Sequence, residues 1–145
     1  MAFVFANRGL FTLLNAATTA STDIRQAVFT GTSPAAATIR DWNFLSDVIA
    51  DASSAEAAAS GYARADLASV TITEVDASDS VTLTAAAPTY TAVATGETWT
   101  FVAFYIFNAS DSAAELIGID TPTASVVTNG GNITGPALSI TVTGS

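Results

Sequence analysis

Residues 98–107, TWTFVAFYIF, constrain this chain more than any other stretch. In an extended ribbon Trp99, Phe101, Ala103, Tyr105 and Phe107 fall on one side, and Val102, Phe104 and Ile106 fall on the other. A strand that is apolar on both faces has to be covered twice, so the chain must supply a layer on each side of it. The polar NASDS that follows reads as a turn, and the run to Asp120 as a returning strand. This hairpin is expected at the centre of the fold. If the subunit leaves Val102, Phe104 and Ile106 uncovered, they mark the place where a sibling subunit packs.

The segments around the hairpin are mostly short and β-like. Residues 3–15 carry enough large apolar side chains for an ordered strand or short helix. Residues 23–30 (DIRQAVFT) read as a strand with Ile24, Gln26, Val28 and Thr30 on one side. Asp41 is placed to cap a helix over about residues 41–51, with Trp42, Leu45, Val48 and Ile49 at helical spacing. The Ala- and Ser-rich residues 52–60 contain no large apolar anchor and are expected to form a loop. Residues 68–76 and 80–85 form a hairpin about DASDS, with Val81 and Leu83 inward. Short strands are expected near 86–91 and 124–127. Asn129-Gly130-Gly131 reverses the chain, and residues 137–143 end it as a strand with Leu138, Ile140 and Val142 on one face. About eight β-segments and one helix, with turns at this spacing, predict a mainly β fold. The expectation is a single domain over 1–145, built as a β-sandwich or jelly roll with one short helix.

Charge narrows the partners. Four Arg, no Lys, no His and thirteen acidic residues give a net charge of -9. Arg8, Arg25, Arg40 and Arg64 lie singly along the N-terminal half, so no basic face is available for a phosphate backbone or an anionic membrane surface. Charged residues make up only 12% of the chain, about half the usual fraction, and a surface so poor in charge suits a subunit of an assembly. There is no cysteine for disulfides or thiolate metal sites. The N-terminus lacks a basic region before its apolar run, and no run approaches the ~20 residues of a membrane span. The expectation is a soluble product of the cytoplasm.

The residues offer little to catalysis. Without His, Cys or Lys the common activated nucleophiles and neutral-pH bases are missing, and the carboxylates fall mainly in turns and on the outer helix face. A paired-carboxylate hydrolase would need two of them facing each other in a cleft. Asp76, Asp79 and Asp111 could offer oxygens to calcium, but turn Asp and Ser ordinarily bond their own backbone, and neither stretch matches an EF-hand loop. Asn108-Ala109-Ser110 and Asn132-Ile133-Thr134 have the glycosylation spacing without a leader, and Gly130-Gly131 lacks the Lys of a phosphate loop. The reading is a non-enzyme with no catalytic, cofactor or metal residue. A carbohydrate-binding or adhesion module using Tyr62, Tyr90 or Trp42 is the competing class.

The order of several pieces adds to this. Leu13-Leu14-Asn15, residues 22–29 (TDIRQAVF), Leu45-Ser46-Asp47-Val48, Gly61-Tyr62-Ala63-Arg64 with Leu67, the Trp99-led strand, Leu116-Ile117-Gly118-Ile119-Asp120 and residues 129–134 (NGGNIT) span most of the chain. In this order they resemble small virion structural proteins of tailed bacteriophages. The final strand departs from that pattern in having no aromatic residue. The resemblance implies a β-rich capsid decoration or cement protein on the outer capsid surface, binding the major capsid protein and sibling subunits, often as a homotrimer. A tail or fibre component is the alternative. The residues expected at interfaces are Phe3, Phe5 and Arg8 of an N-terminal arm (1–8), Glu56 in the Ala-rich loop, and Val102, Phe104 and Ile106.

Overall fold

The structure is a computed structural model describing residues 2–5, 23–78 and 80–143. The first half holds β1 (Ala2–Phe5), β2 (Ile24–Gly31), α1 (Ala36–Asp41), α2 (Leu45–Ala50), β3 (Ser54–Glu56) and β4 (Ala65–Asp66). It is followed by β5 (Thr71–Val75), β6 (Ser80–Ala85), β7 (Thr89–Tyr90), β8 (Thr98–Ile106) and β9 (Glu115–Thr121). The chain closes with β10 (Val126–Val127), β11 (Ile133–Thr134) and β12 (Leu138–Thr143).

The two-faced strand is β8, and it lies in the middle of an antiparallel sheet ordered β1-β9-β8-β2-β3, with β4 also on β2 and β10 also on β8. One face of this sheet is covered by the helices: Ile39, Leu45 and Val48 pack with Phe29, Phe101, Tyr105 and Leu116. The other face is covered by a second sheet, β12-β6-β5, and by the β7–β11 ribbon, through Leu83, Leu138, Ile140, Tyr90 and Ile133. The mainly β, sandwich-like fold read from the sequence is what the chain adopts.

Four local expectations change. Val102 and Phe104 are only 5% and 1% exposed, because the second sheet and Phe3 cover them within the subunit. They are therefore core, not an open face. Trp99 leaves the side of Phe101: opposite β2, Phe29 faces Phe101 while Thr30 faces Trp99, so Thr100 is bulged out and the alternation changes phase. Trp99 thus joins the cluster of Val102 and Phe104. A second bulge at Ile117 in β9 shifts the phase again, so that Leu116 and Ile119, three residues apart, share the helix-covered face while Ile117 faces the second sheet.

The helical region is two six-residue helices, α1 and α2. Asp41 ends α1 and does not cap; the capping carboxylate is Asp47, which accepts from the N–H groups of Asn43 (2.8 Å) and Phe44 (3.0 Å). With one and a half turns, α2 buries only Leu45 and Val48, and Ile49 stays exposed. Residues 52–60, expected as a loop, contain β3, which is held by pairing with Phe29–Gly31 and by the Ala57 N–H on the Val28 carbonyl (2.9 Å). Main-chain pairing needs no large side chain.

Close approach requires glycine at 118. A Cβ there would lie 2.5 Å from both the Phe3 ring and the Val4 carbonyl oxygen. Phe3 uses that space to rest on Phe104, with ring centroids 6.0 Å apart.

Candidate functional site

The second face of β8 continues into an aromatic group. Trp99, Tyr90 and Tyr62 meet pairwise at 5.2–5.7 Å between ring centroids, with the tryptophan edge-on to both tyrosines. Each is fixed by its polar atom. Trp99 Nε1–H donates to Glu97 (3.0 Å), and Glu97 also accepts the Ala58 N–H (2.8 Å). The Tyr90 hydroxyl donates to the Gln26 carbonyl oxygen (2.8 Å), and the Gln26 amide donates to the Pro136 carbonyl (3.0 Å), which accounts for a wholly buried glutamine. Burial pushes the Tyr62 and Tyr90 phenols well above their ordinary range, so both stay protonated donors at any physiological pH.

Beside this group is an apolar groove of about 200 Å³, lined by Val28, Tyr90, Trp99, Val102, Val126 and Ile133 and walled by Pro122 and Pro136. Gly135 forms part of the wall, where a Cβ would run into the Gln26 carbonyl oxygen and Pro88. No charged residue lines the groove, so it can accept an apolar side chain or small ring but has nothing to polarise one. Val126 in its lining is 37% exposed; Val127, the next residue of β10, is 66% exposed but does not line the groove. Sequence reasoning missed this site. The only local signal was the Val126-Val127 doublet between two turns.

The polar features are mostly structural. Between β4 and β3 the edge of β2 is open for a few residues, and the Tyr62 hydroxyl fills it, accepting the Val28 N–H (3.0 Å) and donating to Glu56 (3.0 Å). Arg64 grips Glu56 through Nε and Nη2 (both 2.7 Å) and reaches Asp111 through Nη1 and Nη2. That contact holds the Asp111 carboxyl below the usual range. Asp111, considered above as a calcium ligand, is thereby engaged. Arg25 bonds Asp23 and Asp66 and stacks 3.7 Å above the Phe107 ring. Among the described residues no group of three metal-ligating side chains comes together, and no helix is long and apolar enough to cross a membrane.

Of the residues expected at interfaces, Phe3 packs inside the subunit on Phe104, and Phe5 pairs through its backbone with Gly118. Arg8 lies outside the described residues. Glu56 sits in β3, held by Arg64 and Tyr62, and not on a free arm. Val102 and Phe104 are buried; Ile106 is partly buried against the same cluster. Tyr90, considered as an exposed sugar platform, is 4% exposed, while Tyr62 and Trp42 are half-buried.

Among the described residues, two buried side-chain oxygens have no hydrogen-bond partner, Tyr105 Oη and Asp120 Oδ1. Asp120 lies on β9 between Phe3 and Val102 and is 3% exposed. Burial raises its carboxyl above the ordinary range. The fold therefore holds the proton more tightly than the unfolded chain does. The ionised form costs stability at neutral pH, and that cost disappears as pH falls through the raised value toward the unfolded value of about 3.9. Asp120→Asn should raise the thermal midpoint at pH 7 by a few degrees, and the gain should shrink toward pH 4. Equal midpoints at pH 7 would show that the carboxylate carries no burial cost.

Compared with known proteins, the chain matches no family model, no curated protein and no solved structure.

Proposed function

We propose that the protein is a non-enzymatic structural subunit of a virus particle, a capsid decoration or cement protein that binds the major capsid protein and sibling subunits on the outer capsid surface. The observation that carries this reading is the apolar groove with the exposed Val126 in its lining and the exposed Val127 next to it on β10. A charge-poor chain that keeps such a patch in water is built for protein contact, since burying it releases apolar surface at little cost in desolvated charge. The outer face of the second sheet adds a neutral, hydroxyl-rich surface, where Thr71 meets Thr84 (2.7 Å) and Thr82 meets Thr141 (3.0 Å). The order of sequence pieces described above supplies the virion context. Weak contacts repeated over a lattice reinforce one another, so a small patch suffices.

Quantitative mass spectrometry of purified particles from the genome that encodes this chain tests the reading. Hundreds of copies per particle are expected, with at least a tenfold drop in occupancy for Val126→Asp, at an exposed position in the groove lining, with circular dichroism to check that the variant is folded. A handful of copies would indicate a tail or fibre component instead. Absence from the particle, with retention on a glycan array, would favour the carbohydrate-binding module.

A further inference from the structure

The second sheet ends on β5, and all five of its residues are exposed, a feature shared among the described strands only by the two-residue β10. Its partner Leu83 on β6 is buried, yet Ile72 directly opposite is 38% exposed. The central sheet therefore stops beneath β6, and β5 overhangs it. Among the described residues no strand pairs with its outer edge. Of the usual protections of an edge, β5 has only the charge of Glu74: Thr71-Ile72-Thr73-Glu74-Val75 contains no Pro and no Lys, and its pairing with β6 runs without a bulge.

The charge around this edge has one sign. Glu74, Val75, Asp76, Ser80 and Val81 line an open cleft of about 380 Å³ at the hairpin end. Neither Glu74 nor Asp76 has a salt bridge among the described residues, and all four arginines of the chain precede residue 65. Arg25 and Arg64 are already engaged by other carboxylates. The opposite edge strand, β12 (LSITVT), carries no charge at all.

We infer that the outer edge of β5 is a docking strand for an extended, cationic segment of a partner protein, which adds a fourth strand to the second sheet. Main-chain hydrogen bonds supply the attachment, and the side chains select the partner. Ile72 and Glu74 point to the same face, so the incoming strand carries an apolar residue opposite Ile72 and a Lys or Arg two positions away opposite Glu74. A second copy of β5 is a poor occupant, because it brings the same carboxylates to an already acidic edge. This inference stands apart from the virion reading, since any cationic strand satisfies it.

The test uses the whole protein, ¹⁵N-labelled, with the peptide Ac-TKTVTKT-NH₂ as probe and Ac-TETVTET-NH₂ as control. The basic peptide should shift the amide signals of residues 71–75 and slow their hydrogen exchange. Its affinity should fall at least fivefold in the E74Q/D76N variant, and again as salt rises from about 50 mM to about 500 mM. Both substitutions are at exposed positions, and circular dichroism checks that the variant is folded. The inference is overturned if millimolar basic peptide does not bind, if it binds without affecting residues 71–75, or if the acidic peptide binds equally. Protection of the same amides by self-association alone would assign the edge to a second copy and overturn it as well.

Discussion

Phe104→Ala is expected to remove about 3–5 kcal/mol of stability, the usual range for deleting a buried phenyl ring. Phe104 is 1% exposed, belongs to the cluster that joins the two sheets, and carries Phe3 on its ring. A domain of this size has about 5–15 kcal/mol in total, so the variant should be folded but marginal. Urea denaturation should show a lower midpoint with an unchanged slope. Amides of residues 2–5 should also exchange faster, because Phe3 loses the surface that holds β1 over Gly118. A loss below about 1 kcal/mol would mean that this face of β8 is not the internal core, and would return it to consideration as a subunit interface.

Arg64→Ala is the second large effect, about 2 kcal/mol at neutral pH. Arg64 joins three separate pieces of chain: β3 through Glu56, its own segment, and the turn between β8 and β9 through Asp111. Its removal leaves Glu56 and Asp111 without the cation between them. The pH dependence has a definite sign. Arg64 holds the Asp111 carboxyl below its unfolded value. Wild type therefore has this stabilisation in full above about pH 4 and loses it as pH falls through the depressed value. The difference between wild type and Arg64→Ala should shrink as pH falls below the ordinary carboxylate range, in thermal melts taken across it. Arg64→Lys should recover only part of it, since an ammonium cannot present paired donors to two carboxylates. Asp120 works in the opposite direction. Wild type should thus be most stable in mild acid, after Asp120 has taken up its proton and before Asp111 has.

The centre of the fold was legible because the information is local. Nine consecutive residues that are apolar on both faces can only be a strand covered twice, and β8 is that strand. That Ile24 and Val28 share one side of β2 was readable in the same way, as was the alternation of β12. The candidate site was not legible. Its groove is made by Val28, Tyr90, Trp99, Val126 and Ile133, which come from β2, β8, β10 and the two strands of the β7–β11 ribbon, and no spacing in the chain announces that they meet.

By itself, then, the sequence determined that this chain would be mainly β, that residues 98–106 would be central, and that its surface would be acidic yet poor in charge. These follow from side-chain period and composition, which belong to the residues whatever they later touch. The tertiary structure decided which faces were spare. The bulge at Thr100 turned Trp99 over to the groove side, the second sheet closed over Val102 and Phe104, and pairing with β2 made a strand of an Ala-rich stretch. The central sheet ran out beneath β6, which left Ile72 and Glu74 of β5 in water. Cover, register and open edges depend on where distant strands come to rest, and alternation along one strand carries no record of that.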